Sequence, residues 1–534
     1  MENPLSKTER KAIRSRIFLH LDGLALIPTM NALNKASVFE LFLEKSSRRL
    51  SEITDLIGAN EGYLNVALRM MSSQGYLSRN VDNETDHVYF ELTDLGKRAF
   101  DLAGFYESFD SLIRASIIRP RNIVSENADI ESLEKAWSDL KYFQDVYRGE
   151  LEERMAIHME GVLLGPAMVG LGIINHFKGA SIDKNLSAKQ WGLTQPVFKW
   201  IVAILESLLF VRQKDGAYYF TDKGLFYVQR ASAYGVTVSY LPTFARLDDL
   251  LVGNPNVLWD RGDEGHETHV YRYMNVWGSG GAHSTYFKKV DEIIVELFNK
   301  PIEEQPKGFI DVGCGDGTFI EHVFDLIYYK TKRGKMLKEH PLFVVGVDYN
   351  QKARVATRDT MTNADIWAEV EFGDISDPAS LDNMLQEKFG VPLGDLLNTR
   401  TFLDHNRIYQ KPEKVEQSCL SGGAFAFRGR RIPNNELFQN LVNHLEAWSP
   451  YLKKYGLLLV ELHSINPKSA SENIGKTLAT PYDATHGFTD QYIIELPCFL
   501  NAAKAAGLKP IEPYLFRFPD EEKPTVSIQL LKAV

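Results

Sequence analysis

The apolar positions of this chain follow two rhythms. Through the first half they recur at helical spacing, as in PTMNALNKASVFELFLE and TQPVFKWIVAILESLLFVRQ. From Phe309 onward short continuous apolar runs appear instead, in FIDV, LFVVGVD, VEF, GDLLNTR, LLLVELHSI and TVSIQLLKA. Amphipathic runs lie between them, IEHVFDLIYYK, SLDNMLQEKFG and NHLEAWSPYLKKYG. Short apolar runs bounded by glycine and polar residues read as buried strands, and runs at i, i+3, i+4 spacing as the helices that cover them. The alternation predicts an α/β domain built on a doubly wound, mostly parallel sheet. Its end turns antiparallel where YLFRFP leads into TVSIQLLKA.

The first half also repeats itself. After an opening helix, LSEITDLIG, ANEGYLNVALRMMSSQGYL and VYFELTDLGKRAF give helix, turn, helix and wing, which is winged-helix order. Between Gly165 and Val228 the order recurs, and GYLSRN…VYFELTDLGKRA lies over LLFVRQKDGAYYFTDKGLFY. The predicted division is 1–105 for the opening helix and first winged-helix-like unit, 106–160 for an acidic helical connector, 161–255 for the second unit, and 256–534 for the α/β domain. Winged helices commonly read DNA, yet the recognition-type helix EGYLNVALRMMSSQ carries Arg69 as its one cation. A groove reader needs several. The helix is therefore expected to pack rather than read a duplex, and no nucleic acid is expected as a partner. The two units are expected to cover the site of the α/β domain or to form a homodimer.

Composition narrows this further. A length of 534 residues predicts two to four domains, and a net charge of −10 disfavours a non-specific nucleic-acid binder. Cys314, Cys419 and Cys498 stand apart, without CxxC spacing, and predict neither a disulfide framework nor a zinc knuckle. The N-terminus is polar, and no apolar run is expected to reach a membrane span. The expected protein is cytoplasmic and free of the membrane.

The chemistry gathers around FIDVGCGDGTF. Gly313, Gly315 and Gly317 follow a buried strand and precede a helix, so the backbone can take φ > 0 and approach a ligand closely. Asp348 ends the next strand, where a carboxylate accepts hydrogen bonds from a ribose diol, and Asp374 in GDIS stands where an adenine amine is read. A nicotinamide site spaces its glycines GxGxxG to seat a pyrophosphate. Here Asp311 and Asp316 flank the turn, and carboxylates suit a cationic ligand. The turn resembles motif I of the class I S-adenosylmethionine (SAM) methyltransferases. That resemblance implies a Rossmann-like seven-stranded sheet behind two winged-helix-like units, as in the lid and dimerisation regions of small-molecule methyltransferases. It implies SAM binding by Asp311, Gly313, Gly315, Asp348, Tyr349, Asp374, Ile375 and Arg400. Upstream, the GSGG run with Gly278 and Ser279 is expected to wrap the donor, and His283 and Tyr286 to close over its sulfonium.

Two histidines end neighbouring strands, His405 in RTFLDHNR and His463 in LLLVELHSI, with Asp404 and Glu461 beside them. Imidazoles so placed suit a metal or a general base, and carboxylates beside them orient the rings. The segments RTFLDHNR, GLLLVELHSINP, GFTDQY and HVYRYMNVWGSG resemble the methyltransferase domains of polyketide-synthase loading modules of the apratoxin and saxitoxin type. What this resemblance implies is C-methylation of malonyl on an acyl carrier protein, assisted by one mononuclear iron-type metal, with Mn or Co as substitutes. It implies metal ligation by His405, His463 and Gln491, where Asp490 or His486 could replace Gln491. Glu461 and Tyr286 are the candidates for a separate base. In loading modules further domains follow this one, whereas this sequence stops at Val534, so a free β-dicarbonyl acceptor is also open. The rival readings are a metal-independent O- or N-methyltransferase with His405 as base, and a winged-helix regulator that senses SAM.

Overall fold

The computed structural model describes residues 5–82, 84–259, 267–416, 418–519 and 522–534, without the side chains of 281–285. By internal contacts it divides into two compact units. One comprises Met1–His283, Ala424–Arg431 and Asn466–Asp490, the other Ser284–Gly423, Ile432–Ile465 and Gln491–Val534.

The first unit is built on helices α1 (Lys7–Lys35), α2 (Glu61–Ser73), α3 (Glu150–Ile173) and α4 (Gln195–Ser207). Ser6 and Glu9 form a capping box that starts α1. α1 and α3 lie against each other, and glycines set the approach: a Cβ on Gly23 would strike the His158 backbone, and one on Gly161 that of His20. In their interface Glu160 accepts Arg16 Nε and Nη2, both at 2.7 Å, and contacts His20 Nε2 at 2.7 Å. Burial alone would raise the Glu160 carboxyl, but the hydrogen bonds from Arg16 outweigh it and hold it at about 2. α3 also corrects the expectation that no stretch is apolar enough to span a membrane. Its most apolar window has a mean hydropathy of 1.5, and 89% of that window is buried inside the protein, as in a core helix. The same helix runs through the expected 160/161 domain border.

Both winged-helix-like units have the expected form. Ser47–Arg49, His87–Leu92 and Leu77–Asp82 make one three-stranded antiparallel sheet, with His87–Leu92 central. Asn185–Leu186, Ala217–Phe220 and Val211–Lys214 make the other in the same order. Each wing returns into a helix capped by threonine. Thr93 accepts Gly96 N at 2.9 Å and Thr221 accepts Gly224 N at 3.1 Å, so TDLG and TDKG are one device used twice. α2 is buried from Gly62 to Ser73. Arg69, the cation of the recognition-type helix, is 2% exposed and ion-paired with Asp483 of the Ala479–Gly487 helix. Gln74 donates to Thr480 Oγ1 at 2.8 Å beside it. This helix is part of the core and offers no face to a groove.

Helix α5 (Arg272–Leu297) contains the GSGG run, which was expected to wrap the donor and is helical. Gly278 meets Gly235 there so closely that a Cβ on either would strike the other's backbone.

The second unit carries strands β1 (Gly308–Val312), β2 (Phe343–Asp348), β3 (Glu369–Phe372), β4 (Leu397–Thr401), β5 (Leu457–Leu462), β6 (Leu508–Pro510), β7 (Phe516–Phe518) and β8 (Val526–Ala533). Their order is β6-β8-β5-β4-β1-β2-β3, with β7 paired to β8, which adds an eighth strand to the seven expected. β1 to β5 run parallel, and β8 is antiparallel to β5. β1 is buried along its whole length, as a central parallel strand must be. Helices α6 (Thr318–Lys330), α7 (Asn434–Trp448) and α8 (Leu496–Ala505) belong to this unit. The chain also corrects the cysteine reading: Cys419 and Cys498 form a disulfide that ties the loop after β4 to α8, while Cys314 is a buried free thiol.

Candidate functional site

In an open α/β sheet the strands' C-terminal ends leave a crevice where the order reverses, here between β1 and β4. The donor turn leaves β1 at that point. Gly313, Gly315 and Gly317 have φ of 80°, 59° and 83°, values that only glycine adopts without strain. Gly313 N and Cys314 N donate to Val347 O of β2 at 2.8 and 3.1 Å, pinning the turn to the next strand. A Cβ on Gly313 would strike Leu403, whereas one on Gly315 would meet nothing within 4 Å. The turn is thus tight on its protein side and open at Gly315.

Asp311 is buried under the turn. Thr399 donates to its Oδ1 at 3.0 Å, while Oδ2 has no partner among the described residues. Burial pushes this carboxyl up to about 7. Asp348 accepts Gly315 N at 3.1 Å and Asn350 N at 2.7 Å. Tyr349 is exposed, 5.5 Å centroid to centroid from the exposed Phe372 ring. Asp374 accepts Ser376 N and Oγ, and Ile375 O accepts the Trp448 indole N–H at 2.8 Å. An orphaned carboxylate oxygen, an open glycine and an acid at the end of β2 fit SAM. Replacing Asp348 by alanine should weaken SAM binding by about 1–3 kcal/mol, the cost of leaving hydroxyls unpaired. Calorimetry checks this, and a wild-type Kd would remove Asp348 from the donor site.

Beyond β4 the chain makes a strained corner. Phe402 has a φ of 54°, rare outside glycine, while its N–H donates to Val460 O at 2.7 Å. The corner delivers a buried polar cluster. His405 Nδ1 lies 2.5 Å from Glu461 Oε1, and the His405 backbone N–H donates to Glu461 Oε2 at 3.1 Å. One carboxylate thereby fixes both the ring and the chain that carries it. Arg400 Nη1 pairs with Asp404 Oδ1 at 2.7 Å, and His444 Nε2 lies 3.1 Å from the same oxygen. Burial alone would raise Asp404, but the Arg400 charge holds it down to about 2. Arg407 donates to Asp404 O and Asn440 Oδ1, both at 2.8 Å, and burial lowers its guanidinium to about 10.

The expected metal ligands do not form a set as arranged. His463 is fully buried, with Nδ1 3.1 Å from Ile494 O and Nε2 2.8 Å from Ser527 Oγ. Both ring nitrogens are therefore engaged inside the sheet, and burial pushes the imidazole down to about 4. Gln491 lies just before Tyr492, whose N–H donates to His405 O at 2.7 Å. Its alternatives Asp490 and His486 belong to the first unit, where Asp490 accepts Tyr63 Oη at 2.8 Å and Arg428 N at 3.0 Å. These residues do not fit a His405–His463–Gln491 metal centre, and no step is derived through one. Tyr286, considered as a base, is packed edge-on to Phe402 and Phe518, and burial raises its phenol. Gly278 and Ser279 serve α5, where Ser279 Oγ donates to Val276 O at 3.1 Å. The His283 side chain lies outside the described residues.

Sequence reasoning passed over His444 and Trp448. With Asn440 they recur every four residues along α7, one face of the helix. Three polar or amphipathic side chains on an otherwise apolar stripe were the available signal.

Residues 267–529 match the AprA MT2-like domain, residues 13–79 the AprA N-terminal domain and residues 160–254 the AprA winged helix domain. No curated protein matches the sequence. Among solved structures the fold is similar to human N-acetylserotonin methyltransferase in complex with SAM, at 11% identity and a TM-score of 0.44 over 73% of this chain and 99% of that one. It is also similar to an O-methyltransferase family protein from Burkholderia thailandensis, at 12% and 0.38 over 69% and 93%. The LepI complex with SAM gives 11% and 0.39 over 76% and 94%. At such scores the three AprA-type domains in sequence carry the assignment.

Proposed function

We propose that this chain, which matches the AprA MT2-like, N-terminal and winged helix domains, is a SAM-dependent methyltransferase of natural-product biosynthesis that methylates the α-carbon of a malonyl-type acyl group. The acceptor is a thioester, on an acyl carrier protein or free. The observation that carries this reading is the His405–Glu461 pair at the end of β4, next to the strand that bears the donor turn. Bound to Asp311, the glycine turn and Asp348, SAM supplies an electrophilic methyl on a sulfonium.

The chain's residues supply the rest. An α-carbon between two carbonyls becomes a nucleophile once its C–H bond breaks and the pair moves into the enolate. Glu461 fixes the His405 ring through Nδ1, so Nε2 is the atom that takes this proton, and the carboxylate offsets the imidazolium that results. The enolate carbon then bonds to the methyl, and the donor leaves as S-adenosylhomocysteine. The half-buried Phe402, Leu403 and Tyr286 limit the access of water to the enolate. Intact-mass analysis of malonyl-carrier protein and of a malonyl N-acetylcysteamine thioester, each with SAM, tests the acceptor. Addition of a methyl to at least one supports the reading, and none on either rejects it.

A further inference from the structure

Arg400 is fully buried, yet only part of its guanidinium is used. Nη1 bonds Asp404, and the group stacks on Trp448 with Cζ 4.1 Å from the ring centroid. Nε and Nη2 have no hydrogen-bond partner among the described residues, and neither has Asp404 Oδ2. These two nitrogens form one edge of the guanidinium, the edge that grips a carboxylate with two parallel hydrogen bonds. A buried charged donor left unsatisfied is costly, so a native protein keeps one where a ligand completes it.

The position suits an acceptor. Arg400 pairs in register with Leu459 of β5, and Glu461 stands two residues on, so Arg400 and Glu461 share one face of the sheet. α7 lies on that face through His444 and Trp448. His405 is held by Glu461, one turn of chain from Arg400. Arg400 and Arg407 balance Asp404 and Glu461 in this buried cluster, so a bound carboxylate adds one negative charge. Proton transfer from the α-carbon to His405 makes an imidazolium and an enolate together and leaves this net charge unchanged.

We propose that the Nε–Nη2 edge of Arg400 is a carboxylate subsite that takes the free carboxylate of the acceptor and turns its α-carbon toward His405. This rests on the malonyl reading above. The shared chemistry is a carboxylate, and the donor's own amino-acid tail is the competing source.

The test compares a malonyl N-acetylcysteamine thioester with its methyl ester, which masks the carboxylate, on the full chain. SAM affinity and thermal melting are measured for wild type, Arg400→Lys and Arg400→Gln. Wild type should favour the acid over the ester in kcat/KM by about 30-fold or more, the scale of a buried charged pair. Both variants should lose that preference mainly through KM, with SAM Kd within about twofold of wild type, since the donor turn is untouched. Equal use of acid and ester by wild type overturns the proposal, as does a variant that slows both alike. A matching fall in SAM affinity would assign the edge to the donor tail and overturn the acceptor claim. Where neither thioester is methylated, the malonyl reading fails by itself, and calorimetry with malonate on the S-adenosylhomocysteine complex decides the subsite. Malonate binding that Arg400→Lys abolishes supports it, and no binding by wild type overturns it. The wild-type comparisons stand even where both variants fail to fold.

Discussion

His405→Ala is expected to slow methyl transfer by about 10²–10⁴-fold, the usual contribution of a placed general base. SAM affinity should hold, because the donor groups sit on β1 and β2 while His405 follows β4. Glu461→Gln should share part of the loss, since an amide still accepts from the ring but no longer offsets an imidazolium. It should also loosen the corner, because Glu461 Oε2 holds the His405 backbone N–H. Single-turnover rates separate these effects from product release. A His405→Ala enzyme within about threefold of wild type would remove the imidazole from proton transfer. If His405 instead held a metal, its loss would also lower the metal content of the purified protein, which elemental analysis reads directly.

The second large effect is structural. Asp483→Ala removes the carboxylate that pairs with Arg69, which stays charged and 2% exposed in the first unit. Breaking a buried pair on one side costs about 3–5 kcal/mol. Denaturant unfolding of the variant should show a loss of that size, and Arg69→Met with Asp483→Leu should recover much of it. The same pair bears on the expectation that this winged-helix-like unit does not bind DNA. A recognition helix must present its cations to phosphate, whereas this helix neutralises its one cation inside the protein. A loss under about 1 kcal/mol would mean that Arg69 reaches solvent and would reopen the DNA-reading alternative.

Much of the fold was legible because local patterns agreed with it. The short apolar runs became β1 to β5 in the expected order, and the TDLG and TDKG repeats folded alike. Legibility failed where distant segments decide the outcome. GSGG invites a donor-wrapping reading because glycine serves close ligand approach as well as close helix packing, and the Gly235 that meets Gly278 lies 43 residues away. Cys419 and Cys498 are 79 residues apart, and nothing local pairs them. SGGAFAFRGRRIPNNE is rich in glycine and arginine, yet within it Phe425–Phe427 and Arg430–Ile432 pair as a two-stranded sheet.

The site divides the same way. The strand-end positions of Asp348, His405 and Glu461 followed from the sequence, because α/β sheets place ligands at those ends. His463 shared that position but not the role. The antiparallel β8 brings Ser527 opposite Glu461, and its hydroxyl occupies the nitrogen a metal would need. A partner supplied by a strand more than 60 residues later was beyond any reading of LLLVELHSI alone.

The central claim is methyl transfer to carbon. His405 and Glu461 would equally remove a proton from a hydroxyl, so the bond formed by the methyl is the decisive observable. The protein is incubated with a malonyl thioester labelled with carbon-13 at its α-carbon and SAM labelled with carbon-13 in its methyl, and the product is read by carbon NMR. The account predicts a label coupled to the adjacent α-carbon, in the aliphatic C–CH₃ region. A label in the methoxy region, with the α-carbon unchanged, would contradict it.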